Sequence, residues 1–241
     1  MKEHPSIPTL VFHSVREHQG KDLFTIAPSH FSDILSFVAE RFGTIDMQAI
    51  RDGRYASEGS PVLITFDDGY KDNAEIVVPI LEQYDVKALF FLLPKYLGQN
   101  NLWNTRADVI LDHLNPDQVT ELLQSGQSIG SHGMTHHKLT KFEDETVMLE
   151  LRQSRQMLED MFEVSVDCFA YPYGVSDDRI QRLASGYYQY GFATDQAPVD
   201  WNDRNNMEIR REFIWPHHTL ADVEELIVQF GTYDNNPMKT K

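Results

Sequence analysis

Short apolar runs, bounded by polar or turn-forming residues, recur at positions 9–12, 62–66, 88–93, 128–130, 168–171, 191–194 and 209–214. Their length suits strands buried in a sheet better than helices. Between most of them the apolar residues fall at helical spacing. Ser29 precedes Phe31, Ile34, Leu35 and Val38, with Gly43 just past the end. Asn115 and Pro116 open a segment carrying Val119, Leu122 and Leu123 that closes at Gly126, an order of N-cap, first-turn proline and terminal glycine. Positions 143–162 repeat Val147, Leu151, Leu158 and Met161. A last helix is predicted from Thr219 through Val223, Leu226, Ile227 and Phe230.

Strand and helix alternating in this way predict a parallel sheet, because each crossover returns the chain to the same end. The expected fold is α/β, a distorted (β/α) barrel of about seven parallel strands, with an open doubly wound sheet as the alternative. Neither a Gly-x-Gly-x-x-Gly nor a Gly-Lys-Ser/Thr motif points to a nucleotide. With no repeat, low-complexity tract or linker, residues 1–241 are expected to form a single catalytic domain with a frayed polar tail from 234.

Composition narrows the partners. A formal net charge of −16 argues against nucleic acid, whose binding needs clustered Lys and Arg. Cys168 is the only cysteine, which excludes an intrachain disulfide and a thiolate metal cage, and its apolar neighbours read as a buried site. No basic, apolar, small-residue leader opens the chain, and no apolar run approaches the roughly 20 residues of a membrane span. The expectation is a cytoplasmic protein.

Three segments carry chemistry, each leaving a predicted strand, which in a barrel is where active sites are built. Thr65-Phe66-Asp67-Asp68-Gly69-Tyr70 puts two carboxylates side by side, an arrangement that repels itself unless a cation or shared proton intervenes. Alone, it reads as readily as a helix cap and turn. Ser131-His132-Gly133-Met134-Thr135-His136-His137 places two imidazoles four residues apart, so one helical turn would bring both to one ion. Phe169-Ala170-Tyr171-Pro172-Tyr173-Gly174 holds a backbone fixed by Pro172 and released by Gly174, able to present the Tyr173 N–H to a ligand. One carboxylate and two imidazoles with an open position describe a hydrolytic zinc site or a two-His-one-carboxylate iron site. The spare Asp67 favours hydrolysis, which needs a base for water.

These motifs, in this order, resemble those of the polysaccharide deacetylases of the NodB homology group (carbohydrate esterase family 4-like), and Leu10-Val11-Phe12-His13-Ser14-Val15 resembles the opening of many members. The resemblance implies a barrel of about seven strands and removal of N-acetyl groups from an amino-sugar-containing saccharide or sugar-lipid precursor. It implies Asp67 as general base, Asp68, His132 and His136 as ligands of a divalent metal, and the Tyr173 N–H at the oxyanion. Zinc leads among the metals, with Co, Ni, Mn and Fe as alternatives. In this scheme metal-bound water, activated by Asp67, attacks the acetyl carbonyl.

Two departures stand out. Ala170 occupies the position of an Arg that pairs with the catalytic Asp in many members, so Arg211, or its neighbour Arg210, is expected to take that role. The usual late Leu-x-x-His is replaced by Trp215-Pro216-His217-His218. His217 is therefore the expected general acid, with His218 and His13 as alternatives. Trp201, in a partial match to a further motif, is expected beside Tyr173 in substrate binding. The alternative functions are a deformylase or other small-amide hydrolase of the same fold, or a non-catalytic carbohydrate-binding relative.

Overall fold

The structure, a computed structural model, describes residues 7–17, 24–54, 61–102, 109–194 and 206–233, with side chains through 229. In chain order the strands are β1 (Thr9–Phe12), β2 (Ser14–Val15), β3 (Thr25–Ile26), β4 (Leu63–Phe66), β5 (Ala88–Leu92), β6 (Ser128–Ser131), β7 (Cys168–Ala170), β8 (Tyr190–Ala193), β9 (Ile209–Arg210) and β10 (Glu212–Phe213). The helices are α1 (Pro28–Arg41), α2 (Met47–Arg51), α3 (Val78–Gln83), α4 (Pro116–Gln124), α5 (Asp144–Phe162), α6 (Asp178–Ala184) and α7 (Leu220–Tyr233).

Eight strands form one sheet in the order β10-β1-β4-β5-β6-β7-β8-β9, every neighbouring pair parallel. The two end strands of that order are consecutive in the chain. β9 pairs with β8 and β10 pairs with β1, and only Arg211 lies between them. One extended segment therefore serves both edges and nearly closes the barrel. This corrects the expectation of a continuous strand over 209–214. The short run bounded by apolar residues looks like one strand, but the segment changes partner at its middle, where the Arg211 N–H bonds the Ala193 carbonyl and the Ile214 N–H bonds the Val11 carbonyl.

Strand alternation sorts side chains into two cores. Ala88, Phe90 and Leu92 of β5 point outward to the helices, joining Phe12, Phe31 and Phe66 in the larger cluster. Leu89 and Phe91 point inward with Leu63, Cys168, Ala170, Phe192 and Ile209. The outer core holds a run of rings, Phe31 edge-on to Phe66 at 5.7 Å and Phe66 stacked on Phe90 at 4.9 Å. α4 has the predicted start, with Asn115 and Gln118 in a reciprocal capping box. α1 begins ahead of Ser29, because Pro28 takes the first turn after Ala27.

The inward parity continues past the strand ends. Leu63 faces the interior of the barrel, Thr65 contacts Arg211, and Asp67 follows at the same spacing of two. Gly130 lies against the inner ring of Phe91, where a Cβ would stand 2.7 Å from it, and His132 follows two residues later. Because all the strands run parallel, these residues emerge at one mouth.

Candidate active site

Asp67 is 4% exposed at the end of β4 and accepts two hydrogen bonds from Arg211, Nη1 to Oδ1 at 2.6 Å and Nη2 to Oδ2 at 2.7 Å. Arg211 is 1% exposed, contacts Thr65 Oγ1 at 3.3 Å and lies over the rings of Phe91 and Phe192 at 5.1 and 6.0 Å. Burial alone would raise the Asp67 carboxyl, but the adjacent guanidinium overrides it and holds the group well below the usual carboxylate range. The side chain at 170 is a methyl group inside the barrel, and the guanidinium reaches the carboxylate from 211 instead.

Asp68 faces the two imidazoles. Its Oδ1 lies 3.7 Å from His132 Nε2 and 3.4 Å from His136 Nε2, and this buried oxygen has no hydrogen-bond partner. Burial pushes His136 down to about 3, so that ring is neutral near pH 7 and its approach to Asp68 is not an ion pair. One ligand atom from each of Asp68, His132 and His136 lies within 4.8 Å of the others. An orphaned carboxylate oxygen beside ring nitrogens is costly unless something positive occupies the space between them. Two nitrogens and one oxygen suit a divalent cation there.

His132 and His136 do not share a helical turn, contrary to expectation. After β6 the chain enters a loop in which Gly133 has φ +82° and His136 φ +56°, and this loop brings the two ring centroids to 4.9 Å. Five described non-glycine residues have positive φ, and three of them are Asp68, His136 and Tyr173. Such backbone is strained for side chains other than glycine, at about 1–3 kcal/mol each, and concentrates where geometry is imposed for use. Tyr173 has φ 62° between Pro172 and Gly174, and its ring, 58% exposed, lies 4.7 Å from that of His136. At Gly174, with φ +69°, a Cβ would fall 1.6 Å from Thr194 Oγ1, so glycine is required there twice over.

A supporting layer carried no sequence signal of its own. His132 Nδ1 bonds the Ala170 carbonyl at 2.8 Å, which leaves Nε2 facing Asp68. Glu150, on α5, accepts from the Met134 N–H at 2.8 Å, the Thr135 N–H at 3.1 Å and the Thr135 hydroxyl at 2.5 Å, tying down the loop between the two histidines. His113 Nδ1 bonds the Asp68 carbonyl at 2.9 Å. Behind the carboxylates, Asp72 accepts from the Ser14 hydroxyl and the Val15 N–H, and Asn73 donates to the His13 carbonyl. Burial pushes Asp72 up to about 6 despite these donors. Helical spacing of acidic residues looks the same whether they face solvent or a loop, so nothing in the sequence distinguishes Glu150 from its acidic neighbours on α5.

The late histidines are less central. His217 is exposed and packs on His218, whose electrostatic neighbours are His217, Asp222 and His30. His13, at the end of β1, has Asp68, Asp67 and His132 as electrostatic neighbours, and burial lowers its pKa. Arg210 pairs with Glu212 and not with Asp67. Trp201 lies outside the described residues.

Residues 54–191 match the family model described as polysaccharide deacetylase. The chain is 31% identical over 135 residues to the YxkH protein of Bacillus subtilis (strain 168), covering 56% of this chain and 44% of that one. It is 27% identical over 154 residues to the poly-beta-1,6-N-acetyl-D-glucosamine N-deacetylase of Staphylococcus aureus (strain MRSA252), covering 60% and 51%. The chain thus spans about half the length of these curated relatives. The Streptococcus pyogenes deacetylase PplD, solved in complex with acetate, shares the fold with a TM-score of 0.77 at 20% identity, over 92% of this chain and 97% of that one. No described helix is long and apolar enough to cross a membrane.

Proposed function

Since the chain belongs to the polysaccharide deacetylase family, we propose that it is a metal-dependent hydrolase that removes N-acetyl groups from an amino-sugar-containing saccharide. The observation that carries this reading is the union at one barrel mouth of an Asp68-His132-His136 cluster with a second, ionised carboxylate on Asp67. Relatives named for N-deacetylation of a poly-N-acetylglucosamine support the substrate class.

Zinc is the proposed ion, held by Asp68, His132 and His136. When bound, it would polarise the acetyl carbonyl and acidify water beside it. Asp67 accepts the proton of the attacking water. Arg211 keeps that carboxylate ionised and fixes both its oxygens, so its orientation is set before substrate arrives. The Ala170 carbonyl and Glu150 hold the imidazoles in place. The Tyr173 N–H is proposed to donate to the oxyanion, a contact worth about 2.7–4 kcal/mol in comparable sites. For the proton delivered to the leaving amine we favour His13 over His217, because the charges of Asp68 and Asp67 act on the former and favour its protonated form against the opposing effect of burial.

Acetate release from a panel of N-acetylated saccharides, with and without chelator, tests the reading. Zinc-loaded wild type should release acetate, and chelator or His132→Ala should abolish it. Asp67→Asn should keep the metal and lose about 10²–10⁴-fold in kcat, the usual share of a general base. The reading fails if metal-loaded protein binds these sugars yet never yields acetate. A larger loss of kcat in His13→Gln than in His217→Gln is expected, and the opposite ranking would return the acid role to His217.

A further inference from the structure

The carboxylate of Asp68 stands on backbone that must be held in place. Asp68 and Gly69, at φ +68° and +64°, form a turn. Two positive φ values in succession suit an Asp-Gly pair, yet Asp68 still gives up its ordinary negative φ. On the N-terminal side the chain is fixed by β4 and by the hydrogen bond from the Asp67 N–H to the Phe12 carbonyl at 2.9 Å. The C-terminal side needs its own anchor. Rotation about the Asp68 N–Cα bond toward negative φ would swing the Asp68 carbonyl, and everything after it, to a new direction.

That anchor is the segment 111–114. His113 Nδ1 donates to the Asp68 carbonyl at 2.9 Å, and the Leu114 N–H donates to the Gly69 carbonyl at 2.9 Å. The Lys71 N–H returns a bond to the Asp112 carbonyl at 2.8 Å. The segment is braced in turn, because the His113 N–H bonds the Gln99 carbonyl at 2.8 Å and Leu111 exchanges two bonds of 2.9 Å with Asn101. It then runs into the capping box that starts α4 at Asn115. His113 is 3% exposed, and the rings of Tyr70 and Tyr96 stack on it with centroids 5.2 and 5.9 Å away. A ring packed in this way presents its N–H in one direction.

The partner fixes the tautomer. A carbonyl oxygen only accepts, so Nδ1 carries the hydrogen. Burial lowers the pKa of the ring, so near pH 7 it is neutral and that hydrogen is its only one on nitrogen. The Ala170 carbonyl and Glu150 act on His132 and on the loop to His136, and leave Asp68 to other support. Asp68 Oδ1, the oxygen that faces both histidines, has no hydrogen-bond partner, so its aim is set through the backbone. We propose that His113 is a positioning residue for the metal centre, its ring N–H holding Asp68 in the left-handed turn that aims the carboxylate at His132 and His136. This rests on the metal-dependent reading above.

Two substitutions separate the donor from the ring. His113→Phe keeps a ring for Tyr70 and Tyr96 and loses the N–H, whereas His113→Asn loses the ring and keeps an N–H close to the position of Nδ1. In a chelator competition His113→Phe should bind zinc about 10–100-fold more weakly than wild type, and His113→Asn should stay close to wild type. In acetate release from an N-acetylated saccharide, His113→Phe should lower kcat with KM little changed. Nitrogen NMR of labelled wild type, which needs no variant to fold, should show the His113 proton on Nδ1 both with and without zinc. Wild-type zinc affinity in His113→Phe overturns the role while leaving the deacetylase reading intact. A proton on Nε2 overturns it too, as does an equal loss of affinity in both variants, since the ring would then act as filling alone. Zinc affinity that follows the donor, with no acetate released even by wild type, would instead sink the deacetylase reading and leave the role of His113 standing.

Discussion

Among the described residues Arg211 heads the fully buried side chains by volume, and a guanidinium enters an interior at a cost of several kcal/mol unless its charge is met. Here Asp67 meets it through two parallel hydrogen bonds. Arg211→Met would leave the carboxylate buried alone and should destabilise the fold by about 3–5 kcal/mol in urea denaturation. Arg211→Lys should recover only part of this, since an ammonium cannot reproduce the paired geometry. The sign with pH is fixed by the direction of the shift. The folded Asp67 carboxyl titrates below its ordinary value of about 3.9, so the pair contributes fully above that pH and fades as pH falls through the lowered value. In Arg211→Met, which removes the main opposition to burial and leaves only the weaker pull of His132 and His13, this acid-side loss should shrink, and the acid limb of the activity profile should move to higher pH.

At the scale of elements, α5 does more than cover the sheet. Its inner face sends Val147, Leu151 and Leu158 into the core, and Glu150 to the loop between the histidines. Glu150→Ala strips three donors of their acceptor and should weaken zinc about 10–100-fold in a chelator competition, the usual cost of losing a partner behind the ligands. Wild-type affinity in that variant would show that the loop holds itself. The strands were legible because each apolar run is short and bounded, and α4 because its cap and terminal glycine are explicit. α2 and α6, with five and seven residues, give too few turns for a period to appear. The segment before α3 contains a π-helical turn over Asn73–Val77, where Pro79 cannot donate to the preceding turn and the helix widens. The two carboxylates and two imidazoles were visible in the motifs. The left-handed backbone at Asp68, His136 and Tyr173 was not, because it is imposed by packing on residues that would avoid it alone.

For the molecule as a whole, a cation held by Asp68, His132 and His136 would bind the folded chain and not the unfolded one, and would relieve the orphaned oxygen. Zinc at 100 times its Kd should therefore add about 2.7 kcal/mol to stability and raise Tm, and Asp68→Ala should abolish that gain. An unchanged Tm in wild type would argue against the metal centre. The closing segment has a temporal consequence. Leu10 pairs with Glu212 and Val11 with Phe213, across nearly the whole chain, while Phe192 pairs with Ile209 close by. Contacts between remote segments carry the larger loop-closure cost and tend to form after local ones. The guanidinium that aligns Asp67 sits at the junction of those two pairings. A chain still in the act of folding could have its strands, its ligand residues and even its ion, and its base would stay unaligned until the last edge joined the first.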